Sequence, residues 1–114
     1  KGDDKWELHE IDMSFSQAHA VERVDINGDG ELDYVTGKRF FAHNGGDPGA
    51  NDEVVMYWYE VHRSKDGPKF TPHKIVAGKG TGIGTQFQIH DMNKDGKPDI
   101  VLSNKAGVNV LQQK

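Results

Sequence analysis

Apolar and polar residues alternate along most of this chain, and they almost nowhere recur at three- or four-residue spacing. A period of two marks strands with one buried face, whereas helices need a period near 3.6. The alternation predicts strands near residues 5–11, 19–25, 33–41, 53–62 and 69–76. A second series follows near 86–90, 99–103 and 108–112. Turn-forming words separate them: a long loop from His43 to Asp52, the corner Lys65-Asp66-Gly67-Pro68, a Gly-rich link across 78–84 and a turn at 104–107. Val54-Val55-Met56-Tyr57-Trp58-Tyr59-Glu60-Val61 is the most apolar segment and carries bulk on both faces. That is how a strand covered on both sides reads; an aromatic platform for sugar stacking is the alternative use.

Two stretches carry nearly the same word. Asp25-Ile26-Asn27-Gly28-Asp29-Gly30-Glu31-Leu32-Asp33 and Asp91-Met92-Asn93-Lys94-Asp95-Gly96-Lys97-Pro98-Asp99 both read D-x-N-x-D-G-x-x-D. Alternating oxygen-bearing side chains with Gly at the sixth place let a backbone wrap around a calcium ion. Asn, Asp and Gly also make plain turns, but the matched second copy favours two calcium ions. An EF-hand is excluded. Its bidentate Glu at position 12 is replaced by Thr36 and Leu102. The exits Tyr34-Val35-Thr36 and Ile100-Val101-Leu102 are β-prone. Each loop is therefore expected to join two antiparallel strands, with position 9 (Asp33, Asp99) standing in for the missing acid.

The loops lie 66 residues apart, from Asp25 to Asp91. Trp6-Glu7-Leu8-His9-Glu10-Ile11 and Phe70-Thr71-Pro72-His73-Lys74-Ile75 match at an offset of 64, with aromatic, His and Ile in register. Fixed-period similarity signals a repeat. With four strands A to D per repeat, the order is D-ABCD-ABC: a lone closing strand in 1–12, one blade in 19–77 and a second in 85–114 that lacks its last strand. Four-stranded units of this period build β-propellers. The fold class expected is all-β, two permuted propeller blades within one domain spanning 1–114. Two blades cannot close a ring. The chain is thus expected to be part of a larger propeller, or of an assembly in which the first strand pairs with a neighbouring copy.

Composition narrows the partners. Of 18 acidic residues, 7 crowd into the two loops, and the formal net charge is −4, so no basic stripe exists to meet nucleic acid. Like charges so crowded call for cations. There is no Cys, so no disulfide can staple the fold, and bound metal is another staple. No apolar run is long enough to span a membrane. The chain starts at Lys1 without a signal peptide, which suggests a processed or excised piece. Six histidines show no zinc-ligand spacing. His9 and His73 hold the same repeat position, which points to a structural role. His43, Asn44, Asp47 and Asp52 in the long loop are candidates for a ligand or a further cation, against the plainer reading as a solvated connection. No nucleophile elbow, phosphate loop or cysteine–histidine pair occurs, so no enzyme activity is expected.

The two loops, the apolar runs Asp33-Tyr34-Val35 and Asp99-Ile100-Val101 and the period resemble the FG-GAP or VCBS repeat family of calcium-binding β-propellers. The phenylalanine–glycine and glycine–alanine–proline words are not clear here, so the likeness leans to the VCBS branch. The resemblance implies side-chain ligands at Asp25, Asn27, Asp29 and Asp33 with the carbonyl of Glu31. It implies a second set at Asp91, Asn93, Asp95 and Asp99 with the carbonyl of Lys97. The expected function is a calcium-stabilised extracellular module for binding or adhesion, with a glycan or protein ligand. The alternatives are a self-assembling structural subunit and an accessory domain or fragment of a secreted polysaccharide-active enzyme. Secretion is expected because free calcium at loop-binding levels is found mostly outside the cytosol.

Overall fold

The computed structural model describes residues 4–75 and 81–114. Residues 1–3 and 76–80, which include part of the Gly-rich link and the end of the strand expected at 69–76, lie outside the described residues. Within them the chain is all-β. The strands are β1 (Ala18–Val24), β2 (Asp33–Lys38), β3 (Met56–Ser64), β4 (Gly67–Ile75), β5 (Phe87–His90), β6 (Asp99–Asn104) and β7 (Gly107–Leu111). They form two antiparallel meanders, β1-β2-β3-β4 and β5-β6-β7. The long loop holds one short 3-10 turn, Ala42–Gly45. Both D-x-N-x-D-G loops join antiparallel neighbours, as their flanking sequences require.

The registers of the two sheets match. Val35 of β2 lies opposite Trp58 of β3, and Val101 of β6 lies opposite Val110 of β7. The sheets pack face to face. Val35, Met56, Trp58 and Ile75 of the first meet Phe87, Ile100, Leu102 and Leu111 of the second, with Ile26 and Ile83 filling in. Full burial of such side chains contributes about 1.5–3 kcal/mol each. Gly37 matters here, because a Cβ at that position would stand 2.7 Å from the Val55 carbonyl. The link returns at Ile83, which bonds Lys38 and Phe40 in a short parallel bridge. The Nδ1 of His19 meets the Thr85 carbonyl oxygen at 2.9 Å, so β1 and the entry to β5 are held together.

The strand expected at residues 5–11 does not form; residues 4–17 belong to no strand. Trp6 and Leu8 are almost fully exposed. The reason lies in the available edge. His9 and Ile11 run beside Gly67, Pro68 and Phe70, but β4 carries Pro68 and Pro72, and a proline cannot donate to a ladder. The shared position of His9 and His73 also separates. His73 stacks on Trp58 at 4.1 Å and its Nε2 lies 2.8 Å from Glu60 Oε2. His9 is exposed, 3.7 Å from Glu7.

Beyond residue 11 the chain crosses the outer face of the first sheet. Phe15 stacks on Tyr57, and the Tyr59 hydroxyl donates to Asp12 Oδ2 at 2.6 Å. Burial pushes the Asp12 carboxyl up, but the bonds from Tyr59 and Ser14 outweigh it and hold the group below its ordinary value. A depressed carboxylate stabilises the fold above its unfolded pKa and loses that contribution as pH falls through the lower folded value. Tyr59→Phe should therefore move the Asp12 midpoint upward in a carboxyl NMR titration. An unmoved midpoint would show that the strap is not held by this bond.

Lys38 is 1% exposed, and among the described residues it has no carboxylate partner. Its Nζ donates to Gln17 Oε1 at 3.2 Å and to the Gly49 carbonyl at 2.6 Å.

Candidate metal centre

The first loop is built from its carboxylates inward. Asp25 Oδ1 accepts from the amides of Gly28 (2.6 Å) and Asp29 (3.1 Å), and its Oδ2 accepts from Gly30 at 2.8 Å. Asn27 Oδ1 accepts from the Asp29 amide at 3.1 Å, and its Nδ2 donates to Asp29 Oδ2 at 3.0 Å. Asp29 Oδ1 accepts from the Glu31 amide at 2.8 Å.

The second loop repeats this pattern. Asp91 accepts from Asp95 (3.1 Å) and Gly96 (2.8 Å), and Asn93 donates to Asp95 at 2.9 Å. Asp95 accepts from the Lys97 amide at 2.8 Å. Position 6 requires glycine for its backbone rather than for space. Gly30 and Gly96 sit at φ of +92° and +87° with nothing near a would-be Cβ. These bonds set the acidity of the central carboxyls. The Glu31 amide, then Asn27, draw Asp29 below its ordinary pKa; the Lys97 amide, then Asn93, do so for Asp95.

Position 9 is placed differently from the rest. Asp33 and Asp99 are fully buried. Asp33 Oδ2 accepts from Ile26 at 3.0 Å and its Oδ1 from Val61 on β3 at 3.1 Å. Asp99 Oδ2 accepts from Met92 at 2.8 Å and its Oδ1 from Gln113, just beyond β7, at 3.1 Å. Each therefore clips its loop to the third strand of its sheet. Val61 and Gln113 were not apparent from spacing, because only the three-stranded register brings them to the loop. The same holds for Glu60, which accepts from Asn27 Nδ2 at 3.2 Å, and for Arg63, which pairs with the Glu31 side chain at 2.8 Å.

The donor set in each loop is all oxygen, which suits a hard cation such as calcium. Each carboxylate oxygen has two lone pairs, so accepting an amide does not exhaust it. In the arrangement seen, the acidic side chains face their own backbone amides. Among the described residues no three His, Cys, Asp or Glu side chains are gathered closely enough to hold a metal. Asp25 and Asn27 share the Asp29 amide, Asp29 accepts from that of Glu31, and Asp33 is buried. Glu31 and Lys97 are exposed. The loop residues His43 and Asp47 approach only to 3.9 Å.

The family model of the FG-GAP-like repeat matches residues 25–102, more than half of the chain and both loops within it. The chain belongs to the FG-GAP-like repeat family. A comparison with curated proteins gave no match, and neither did one with solved structures. Among the described residues no helix is long and apolar enough to cross a membrane.

Proposed function

We propose that this chain is a calcium-stabilised β-propeller-type module that works outside the cell by binding or adhesion, with a glycan or protein ligand and no catalytic step. Its two sheets are the A-B-C-D and A-B-C strands of consecutive blades. The observation that carries the reading is the duplicated oxygen nest, in which residues at positions 1, 3, 5 and 9 make matching bonds at both loops. Family membership supports it. Asp25, Asn27, Asp29 and Asp33 would hold one ion with the Glu31 carbonyl; Asp91, Asn93, Asp95 and Asp99 would hold the other with the Lys97 carbonyl. A bound dication would offset the clustered carboxylates and couple ion binding to folding. The role is structural, and ligand recognition falls to the loops and faces that the frame displays.

The test is a native mass spectrum in calcium and after chelation. The expected result is two calcium ions per chain, both lost to chelator, with one lost in Asp29→Ala or in Asp95→Ala. A spectrum with no specific calcium adduct would end the proposal. A glycan array then separates a sugar ligand from a protein one.

A further inference from the structure

The two D-x-N-x-D-G loops share a pattern but not an environment. Asp33 and Asp99 hold the same place, clipped to the amides of Val61 and Gln113. Val61 therefore corresponds to Gln113, and Glu60 to Gln112. The registers agree, since Val35 faces Trp58 and Val101 faces Val110.

Charge separates the loops first. The first carries Asp25, Asp29, Glu31 and Asp33 with no base, a formal charge of −4. The second carries Asp91, Asp95 and Asp99 together with Lys94 and Lys97, which leaves −1. At roughly 6 Å and the dielectric of water, one unit charge changes the affinity for a dication about tenfold. Salt takes back part of that, because the Debye length is about 8 Å at physiological ionic strength. A difference of three charges outlasts the screening.

The backbone differs in the same sense. At the fourth place the first loop has Gly28, at φ of +79° with nothing near a would-be Cβ. The second has Lys94 there, at φ of +62°. A left-handed torsion costs a lysine more than a glycine. The second loop is thus held less firmly in its wrapped shape, and loop rigidity is one of the two levers on calcium affinity, beside ligand charge.

A third difference comes from outside the loops. Glu60 Oε1 accepts from Asn27 Nδ2 at 3.2 Å, and Asn27 Oδ1 on the other side accepts from the Asp29 amide. Glu60 thereby fixes which way the Asn27 amide points. It is itself held: its Oε2 lies 2.8 Å from His73 Nε2, and His73 stacks on Trp58. His62 Nε2 stands 3.5 Å from Oε1. Gln112, at the equivalent place, brings no charge. Arg63 pairs with Glu31 at 2.8 Å, so Glu60 and Arg63 together leave the −4 of the first loop unchanged.

We propose that the loops fill in order: the first binds calcium at least about tenfold more tightly than the second, with Glu60 as the positioning residue for Asn27. This rests on the calcium reading of both loops and adds their ranking. The first ion is then a standing part of the frame, and the second responds to the calcium level.

The experiment is a calcium titration of the decalcified full chain, with free calcium set by a chelator buffer. It is followed through the amide NMR signals of Gly30 and Gly96, the sixth residues of the two loops, and native mass spectra at the same steps count the ions. Gly30 should reach its midpoint at free calcium at least about tenfold below that of Gly96, with a singly loaded chain between. Lys94→Gly with Lys97→Glu gives the second loop the charge and backbone of the first, and should lower the Gly96 midpoint at least about tenfold. Glu60→Gln should raise the Gly30 midpoint and leave that of Gly96 in place. Coincident midpoints in the parent chain, or Gly96 responding first, would overturn the ranking. So would a Gly96 midpoint unmoved by the double substitution, a gain that loss of folding cannot imitate. A Gly30 midpoint unmoved in Glu60→Gln would overturn the part given to Glu60. If neither amide responds and no ion is counted, the calcium reading itself fails and the ranking falls with it.

Discussion

Asp33→Ala, measured by urea unfolding in chelator, should lose about 3 kcal/mol of stability, since each buried amide left without an acceptor costs about 1–3 kcal/mol. Two amides are orphaned, those of Ile26 and Val61, and both bonds are buried. Small domains hold only about 5–15 kcal/mol in all. At roughly 4–8 °C per kcal/mol for a domain near this size, the melting temperature should fall by more than 10 °C. Asp99→Ala should cost less, because its bonds to Met92 and Gln113 are only partly buried. Working in chelator isolates the clip from any ion held by the same carboxylate. A variant as stable as the parent under those conditions would show that the clip to Ile26 and Val61 contributes nothing to stability.

Chelation of the parent chain is expected to have the second large effect. A ligand that binds only the folded state adds about 2.7 kcal/mol per site when free ligand stands at 100 times its dissociation constant. Two such sites would add about 5 kcal/mol, comparable to the whole stability of a marginal domain. Asp29→Ala or Asp95→Ala should remove about half of the calcium-dependent rise, and the double variant nearly all of it. Both carboxylates also accept amides within their loops, so a smaller loss should appear in chelator too. If melting temperatures in calcium and in chelator coincide for the parent chain, the ions contribute nothing to folding.

The strands flanking both loops were legible because local chemistry fixes them. A D-x-N-x-D-G turn followed by β-branched residues permits little besides a hairpin, and β1, β2, β5 and β6 follow from it. The matched offset made the equivalence of the two loops legible as well. What was not legible depends on partners distant in sequence. Alternation at residues 5–11 marks a segment able to half-bury in a sheet, but it does not supply a strand for it to pair with, and β4 presents prolines there. Asp33 and Asp99 read as two more ligand oxygens; their grip on Val61 and Gln113 becomes visible only once the third strand is in register. Lys38 gave no signal either, because a lone lysine in an alternating strand looks like a solvent-facing residue. Its burial is decided by the loop that folds over it.

That loop is tethered from below. A buried amine is tolerable only while its donors stay engaged, and here both acceptors, Gln17 and the Gly49 carbonyl, are neutral groups on segments outside the sheet. Each segment supplies one acceptor to Lys38 Nζ, so moving either one away would cost that bond and open the cover over the side chain. The longest connection in the molecule thus behaves as a latched cover instead of a slack tether, and whatever its rim recognises will meet a surface already set in shape.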